Sequence, residues 1–375
     1  MRKLLTLGHS YVVSLNRRLA HEMALAGQGR WDVTCVAPRY FHGSNDLSPV
    51  SLAPSPEDAY ELRAVRAHLT SEVHVFSYGL ELRSLLRQRW DLVHAWEEPY
   101  IVAGWQVSRW VRPGSKLVYR TAQSNPKVYP PPFSWFERSS MARAAGWICS
   151  GRSVEENLRD RPGYDRPHLL SPLGVDTTIF SPNPSARAAA LAKLDWQDNG
   201  PPVVGYVGRF VTAKGLPLLM RALDAAQTPW RALFLGAGKL EGELRRWAAR
   251  HGDRVRILRV PHHEVPAHLN VMDVLCAPSQ TTTAWREQFG RMLVEAFACG
   301  IPVIGSNSGE IASVLGEAGV VVDEHDVAGW TRAIEDLLTS PTKRAELGAR
   351  GLELARERYT WQTVARQYLS FFEQL

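Results

Sequence analysis

The chain has 375 residues, 45% of them hydrophobic and 22% charged, with a formal net charge of +6 at pH 7. That length suits two domains of ordinary size, and no apolar run approaches the ~20 residues that a membrane span needs. The excess charge is uneven: residues 1–175 hold 22 Lys and Arg against 16 Asp and Glu, while residues 176–375 hold 22 of each. An acidic partner for the first half, such as an anionic membrane surface or a phosphorylated acceptor, is weighed evenly against an ordinary Arg-rich surface. Nucleic acid is not expected as a partner. The N-terminal MRKLLTLGHSYVV is broken by Gly8-His9-Ser10 and reads as a first strand rather than a leader. Cys35, Cys149, Cys276 and Cys299 are scattered in apolar contexts, which suits reduced core residues and a cytoplasmic location.

Lys3–Leu7 is the first predicted strand, and its Gly8-His9-Ser10 turn leaves room for a ligand. A helix over Ser14–Ala26 and a strand over Asp32–Ala37 follow. Residues 38–71 are polar and Pro-rich and read as a long loop with one short strand. Glu72–Ser77 reads as a strand, Leu80–Arg89 as a helix and Asp91–Ala95 as a buried strand running into Trp96-Glu97-Glu98-Pro99. Lys116–Thr121 is the next strand. Three prolines then precede a helix carrying Phe133, Trp135, Phe136, Arg138, Met141 and Arg143. Its aromatics and arginines suit either a membrane interface or core packing. Gly146–Ser150 is a strand, Ser153 with Glu156 is a capping box for the next helix, and His168–Ser171 closes the domain.

Pro172 to Gly200 reads as an interdomain connection holding an Ala-rich helix over 185–194. The second domain repeats the alternation, with strands at Val203–Val207, Ala232–Leu235, Val255–Leu258, Val274–Ala277, Val303–Ile304 and Val320–Val322. Strands alternating with helices imply right-handed parallel units. The expected fold class is α/β: two Rossmann-like doubly wound domains in tandem, facing a central cleft. The expected bounds are 1–175, 176–358 and a C-terminal helix over 359–375 packing back toward the first domain. Ligands in such sheets bind at the carboxyl ends of the strands.

The chemistry gathers in Arg286–Glu310, REQFGRMLVEAFACGIPVIGSNSGE. A helix is expected to start near Phe289 or Gly290, with Met292, Leu293, Ala296 and Phe297 on its packed face. Gly300 and Pro302 end it. Glu287 precedes the helix and Glu295 lies two turns in, so both carboxylates can face one cleft with the free N–H groups of the first turn between them. Acids flanking an anion site suit a nucleoside diphosphate sugar; the bland alternative is two solvated glutamates. Arg209 and Lys214, in the loop between Gly208 and Gly215, offer forked and point-charge contacts to a diphosphate. No GxxxxGK[ST] and no GxGxxG after the first strand are present, which argues against a P-loop enzyme or a dinucleotide dehydrogenase. No CxxC or Cys/His cluster supports a metal, and His262-His263 falls in a loop that encloses one poorly.

EQFGRMLVEAFACGIPVIGSNSGEI resembles the signature of the retaining glycosyltransferases of family four, which have the GT-B fold. The resemblance extends through PLGVDTTIF, GYVGRFVTAKG, FLGAGKL, DVLCAPS and AGVVVDEHD, and covers the second domain. It implies that Glu287 holds donor-sugar hydroxyls and that Phe289, Gly290 and Arg291 offer backbone N–H groups. It also implies that Glu295 binds the ribose and that Arg209 and Lys214 neutralise the departing diphosphate. The Arg259-Val260 segment would cradle the base. The donor is expected to be UDP-linked and the reaction independent of metal, with no cofactor; Asp-x-Asp occurs nowhere. In the first domain the family's Gly-Gly is replaced by Gly8-His9, and the His of its HxHEP-like segment by Glu97. Gly8, His9, His94, Glu97 and Glu98 are therefore candidate contacts to the acceptor or donor sugar, although His94 in an apolar strand suits a core histidine better. The acceptor is unspecified, with peripheral attachment to the inner membrane face as an option. A nucleotide-sugar epimerase of the same fold, or a non-catalytic nucleotide-sugar-binding protein, is the alternative.

Overall fold

The computed structural model describes residues 1–43, 49–283 and 285–375. It divides into two compact units, Met1–Gly174 with Trp361–Leu375, and Val175–Thr360. The first unit holds a seven-stranded, all-parallel sheet built from β1 (Arg2–Leu7), β2 (Trp31–Pro38), β3 (Glu61–Val65), β4 (Leu92–Ala95), β5 (Lys116–Thr121), β6 (Gly146–Cys149) and β7 (His168–Leu170), in the order β7-β6-β5-β4-β1-β2-β3. Mainly apolar runs such as Leu4–Leu7 and Leu92–Ala95 are buried throughout because helices cover both faces. One face packs Leu82, Val107, Met141 and Val154. The other packs the helix Ser14–Ala26 and the C-terminal helix Trp361–Gln374 through Leu19, Met23, Val364, Tyr368 and Phe372.

The second unit holds β8 (Val203–Val207), β9 (Arg231–Leu235), β10 (Val255–Leu258), β11 (Val274–Ala277), β12 (Val303–Ser306) and β13 (Gly319–Val322). They form a parallel six-stranded sheet in the order β10-β9-β8-β11-β12-β13. In each sheet the chain moves outward in one direction from the first strand, then returns to its other side. The resulting switch points lie between β1 and β4 and between β8 and β11, and a crevice at the carboxyl ends of the strands opens at such a point.

Four local expectations are corrected. Glu72–Ser77 is a turn, with the N–H groups of Val75 and Phe76 both bonded to the Glu72 carbonyl, and only Ser77–Tyr78 pairs, with Ala67–His68. The edge of the sheet is taken instead by Glu61–Val65, in register with Thr34–Pro38; part of the expected 38–71 loop, 44–48, lies outside the described residues. The helix Arg152–Leu158 is capped by Gly151 without a side-chain bond, so the Ser153–Glu156 box does not form. In the helix Arg291–Ala298 the buried set is Leu293 through Ala298, Glu295 included, while Met292 is only half-buried. Among the described residues no helix is long and apolar enough to cross a membrane.

Candidate active site

At the switch point of the second sheet, the loop after β8 and the loop after β11 lie against each other. The Gln280 N–H donates to the Ala213 carbonyl at 2.8 Å. Gly215 turns the first loop with φ +71°, and a Cβ there would stand 1.7 Å from the Pro278 carbonyl oxygen, so only glycine allows the approach. This contact delivers Lys214 to Glu287. The Lys214 ammonium donates to Oε2 of Glu287 and sits 4.7 Å from the Trp285 ring centroid. Ser279 Oγ donates to the same carboxylate oxygen at 3.1 Å. Glu287 is 7% exposed; a buried carboxylate held by a cation and a hydroxyl is fixed in place.

Behind it, the Glu310 N–H donates to the Glu287 carbonyl at 3.0 Å. Gly309, with φ +56°, makes room, because a Cβ there would fall 1.9 Å from that carbonyl oxygen. Thr281 and Ser308 hydroxyls bond at 3.0 Å, and Ser306 Oγ donates to the Ser279 carbonyl at 2.5 Å. A polar, satisfied scaffold thus fixes the loop that carries Glu287.

The helix after this loop starts at Arg291, behind Gly290, which is left-handed and supplies no capping side chain. Its first-turn N–H groups form a positive pole. Phe289 is buried edge-on to Tyr359 at 5.9 Å, so its ring anchors the loop and leaves only its backbone available to a ligand. Glu295, 5% exposed, faces the loop after β10, where His262 Nε2 lies 3.6 Å from its carboxylate. Val260 stands in that loop, half-buried, with Arg259 exposed beside it. Arg209 is exposed, while its carbonyl accepts the Tyr206 hydroxyl at 2.8 Å, which fixes the backbone after Gly208.

At the switch point of the first sheet, Gly8 passes close to Trp96; a Cβ on Gly8 would stand 3.0 Å from the Trp96 Cβ and carbonyl oxygen. The His9 backbone N–H donates to Glu97 Oε1 at 2.6 Å, and its ring Nδ1 lies 2.7 Å from Oε2. The Tyr78 hydroxyl donates to Glu97 Oε1 at 2.5 Å. Burial opposes charge on His9, but the Glu97 carboxylate outweighs it and raises the imidazole pKa. Glu98 points away from Glu97: it accepts Thr121 Oγ1 at 2.6 Å and the Ala122 N–H at 2.7 Å. Burial pushes its carboxyl up to about 7.

His94 is not part of this rim. Its ring is fully buried between Tyr368 and Phe372, with Nδ1 2.8 Å from Thr6 Oγ1, and burial together with Arg120 lowers its pKa to about 3. No surface of it reaches a ligand. Sequence reading does not single out Ser279, Trp285 or Tyr78, and weighs His262 only as a metal ligand. Ser279 ends the strand motif DVLCAPS and could have been marked by that position; the others are placed by contacts between loops distant in the chain.

Comparison with known proteins gives this geometry a context. Residues 193–353 match the family model described as glycosyl transferases group 1. The chain is 37% identical over 202 residues to a GDP-mannose-dependent alpha-(1-6)-phosphatidylinositol monomannoside mannosyltransferase of Mycolicibacterium smegmatis, covering 51% of this chain and 52% of that protein. It is 30% identical over 253 residues to a D-inositol 3-phosphate glycosyltransferase of Xylanimonas cellulosilytica, covering 64% and 59%. The aligned region thus spans little more than half the length of these relatives. Among solved structures, sucrose-phosphate synthase of Thermosynechococcus elongatus matches with a TM-score of 0.73 at 21% identity, covering 100% of this chain and 99% of that one. Anabaena HepE in complex with UDP and glucose matches with a TM-score of 0.75 at 18% identity, covering 100% of both chains. At such identities the likeness speaks to fold alone, and the fold is GT-B.

Proposed function

We propose that the chain, whose residues 193–353 match the family model of group 1 glycosyl transferases, moves a glycosyl unit from a nucleoside diphosphate donor to a hydroxyl of an acceptor. The observation that carries this reading is the Lys214–Glu287 contact at the switch point of the second sheet, beside an uncapped helix start. Glu287 Oε1 takes hydroxyls of the donor sugar. The remaining N–H groups of Lys214, the Arg209 fork and the first-turn amides take the diphosphate. Glu295 takes the ribose hydroxyls, and the Val260 loop takes the base.

In the reaction the acceptor oxygen bonds to the anomeric carbon, the bond from that carbon to the phosphate oxygen breaks, and the acceptor proton passes to a phosphate oxygen of the leaving group. Negative charge grows on the diphosphate, and cations already in place there are worth several kcal/mol. On this reading Lys214 and Arg209 supply the charge that a divalent ion would otherwise bring. No enzyme carboxylate bonds to the sugar, and configuration is retained.

The expectation from sequence is a UDP-linked donor. The mannosyltransferase relatives are named for GDP-mannose, so we put GDP-mannose first. The relatives' names also share a phosphorylated inositol, which supports an acceptor of that class. The test is transfer from GDP-mannose and from UDP-glucose to inositol phosphate and to phosphatidylinositol, followed by product analysis. Turnover with UDP-glucose alone would overturn the donor assignment. For a lipid acceptor we further propose contact with an anionic membrane through the segment before and within the helix Phe133–Arg143. Val128 is 98% and Trp135 51% exposed there, flanked by Lys127 and Arg138. Flotation with anionic liposomes tests it; absence of binding at low salt refutes it.

A further inference from the structure

Arg120, next to last in β5, is a buried charge without a counter-ion. The residue is 5% exposed, and its Nε and Nη2 have no hydrogen-bond partner. No carboxylate among the described residues pairs with it. Its guanidinium lies 4.1 Å from the Trp96 ring centroid, with the Tyr368 hydroxyl beside it. Burying a guanidinium without a partner for its charge is unfavourable. Contact with a Trp face returns only part of that cost. The remaining cost calls for an anion.

The two orphaned atoms are informative. Nε–H and Nη2–H lie along one edge of the guanidinium and form the fork that grips two oxygens of a phosphate or carboxylate. The place is informative too. Trp96, on which Arg120 stacks, abuts Gly8, so guanidinium, indole and glycine turn are successive neighbours at the switch point of the first sheet.

We propose that Arg120 is the anion-binding residue of the acceptor site and holds the phosphate of a phosphorylated acceptor through its Nε/Nη2 edge. This rests on the glycosyl-transfer reading above. The test measures thermal midpoints of the full chain, wild type, Arg120→Met and Arg120→Lys, against inorganic phosphate, with GDP saturating so that the cations of the second unit are occupied. We expect phosphate to raise the wild-type midpoint. Without phosphate, Arg120→Met should melt higher than wild type by at least ~2 °C, since a buried unpaired charge is gone, and it should show no rise with phosphate. Arg120→Lys keeps the charge but loses the fork, and should need about tenfold more phosphate for the same rise. In turnover, Arg120→Met should raise the KM for inositol phosphate and leave the KM for the donor unchanged. A lower midpoint or failed folding of Arg120→Met would make the arginine structural, and an unaltered phosphate response would equally overturn the proposal. If GDP itself gives wild type no rise, the donor reading falls, while the phosphate response still decides the role of Arg120.

Discussion

Lys214 and Glu287 come from loops that follow two neighbouring strands, and they meet as an ion pair largely closed to solvent, the ammonium over Trp285 and the carboxylate beside Ser279. The pair joins the two tasks assigned to the site. On the proposed reading, the carboxylate aims the cation at the diphosphate, and the cation holds the carboxylate in place for sugar hydroxyls. Lys214→Ala should therefore lower kcat/KM for transfer by roughly 10²–10³ and also destabilise the fold, because it strands Glu287 in a buried place. Adding Glu287→Gln should restore much of the lost stability but none of the activity. Urea unfolding alongside steady-state kinetics on the three variants checks this.

The Glu287 loop depends on a backbone approach that only Gly309 permits. Gly309→Ala places a Cβ 1.9 Å from the Glu287 carbonyl in a left-handed conformation. The loop must move, and we expect nucleotide-sugar affinity to fall at least about tenfold while far-UV circular dichroism stays native. Calorimetric titration with GDP-mannose measures the loss.

Glu295 is assigned to the ribose by its burial beside the Val260–His262 loop. Wild type should bind GDP more tightly than 2′,3′-dideoxy-GDP by about 1.5–3 kcal/mol, the worth of a hydrogen bond to a charged acceptor. In Glu295→Ala that preference should vanish, and a persistent preference would move the ribose elsewhere.

Glu98 makes stability depend on pH. Burial raises its pKa to about 7 in the fold from 4.5 in the open chain. Between those values the native state binds more protons than the unfolded one, so this contribution is complete below pH 4.5 and is lost as pH rises toward 7. Glu98→Gln keeps an acceptor for the Ala122 N–H and removes the titration. At pH 8 it should be more stable than wild type by about 2 kcal/mol, a gain that disappears near pH 5. Denaturation curves at the two pH values decide the matter.

What the sequence revealed follows the physics of each element. Strands buried on both faces, such as Lys116–Thr121 and Val203–Val207, read clearly because nothing but a parallel sheet core suits such apolar runs. Glu61–Val65 did not, since an edge strand with charged, exposed positions resembles a loop. The alternation in Glu72–Ser77 misled because Phe76 is buried by a turn packed on Phe41 and Tyr78, not by a strand. In the site, Glu287, Glu295 and Lys214 were legible from local spacing and neighbouring glycines. Arg120 was not, because a missing counter-ion is a three-dimensional fact. Glu97 was marked by its departure from a motif, but its bonds to His9 and Tyr78 depend on strand order.

The central claim, a sugar nucleotide held by Lys214 and Glu287, is tested most directly by calorimetric titration of GDP-mannose into wild type, Lys214→Ala and Glu287→Ala. The account predicts saturable binding to wild type and a loss of at least about tenfold in affinity in each variant, a step of about 1.4 kcal/mol. Equal binding by all three proteins, or none by wild type with any nucleotide sugar, would contradict it.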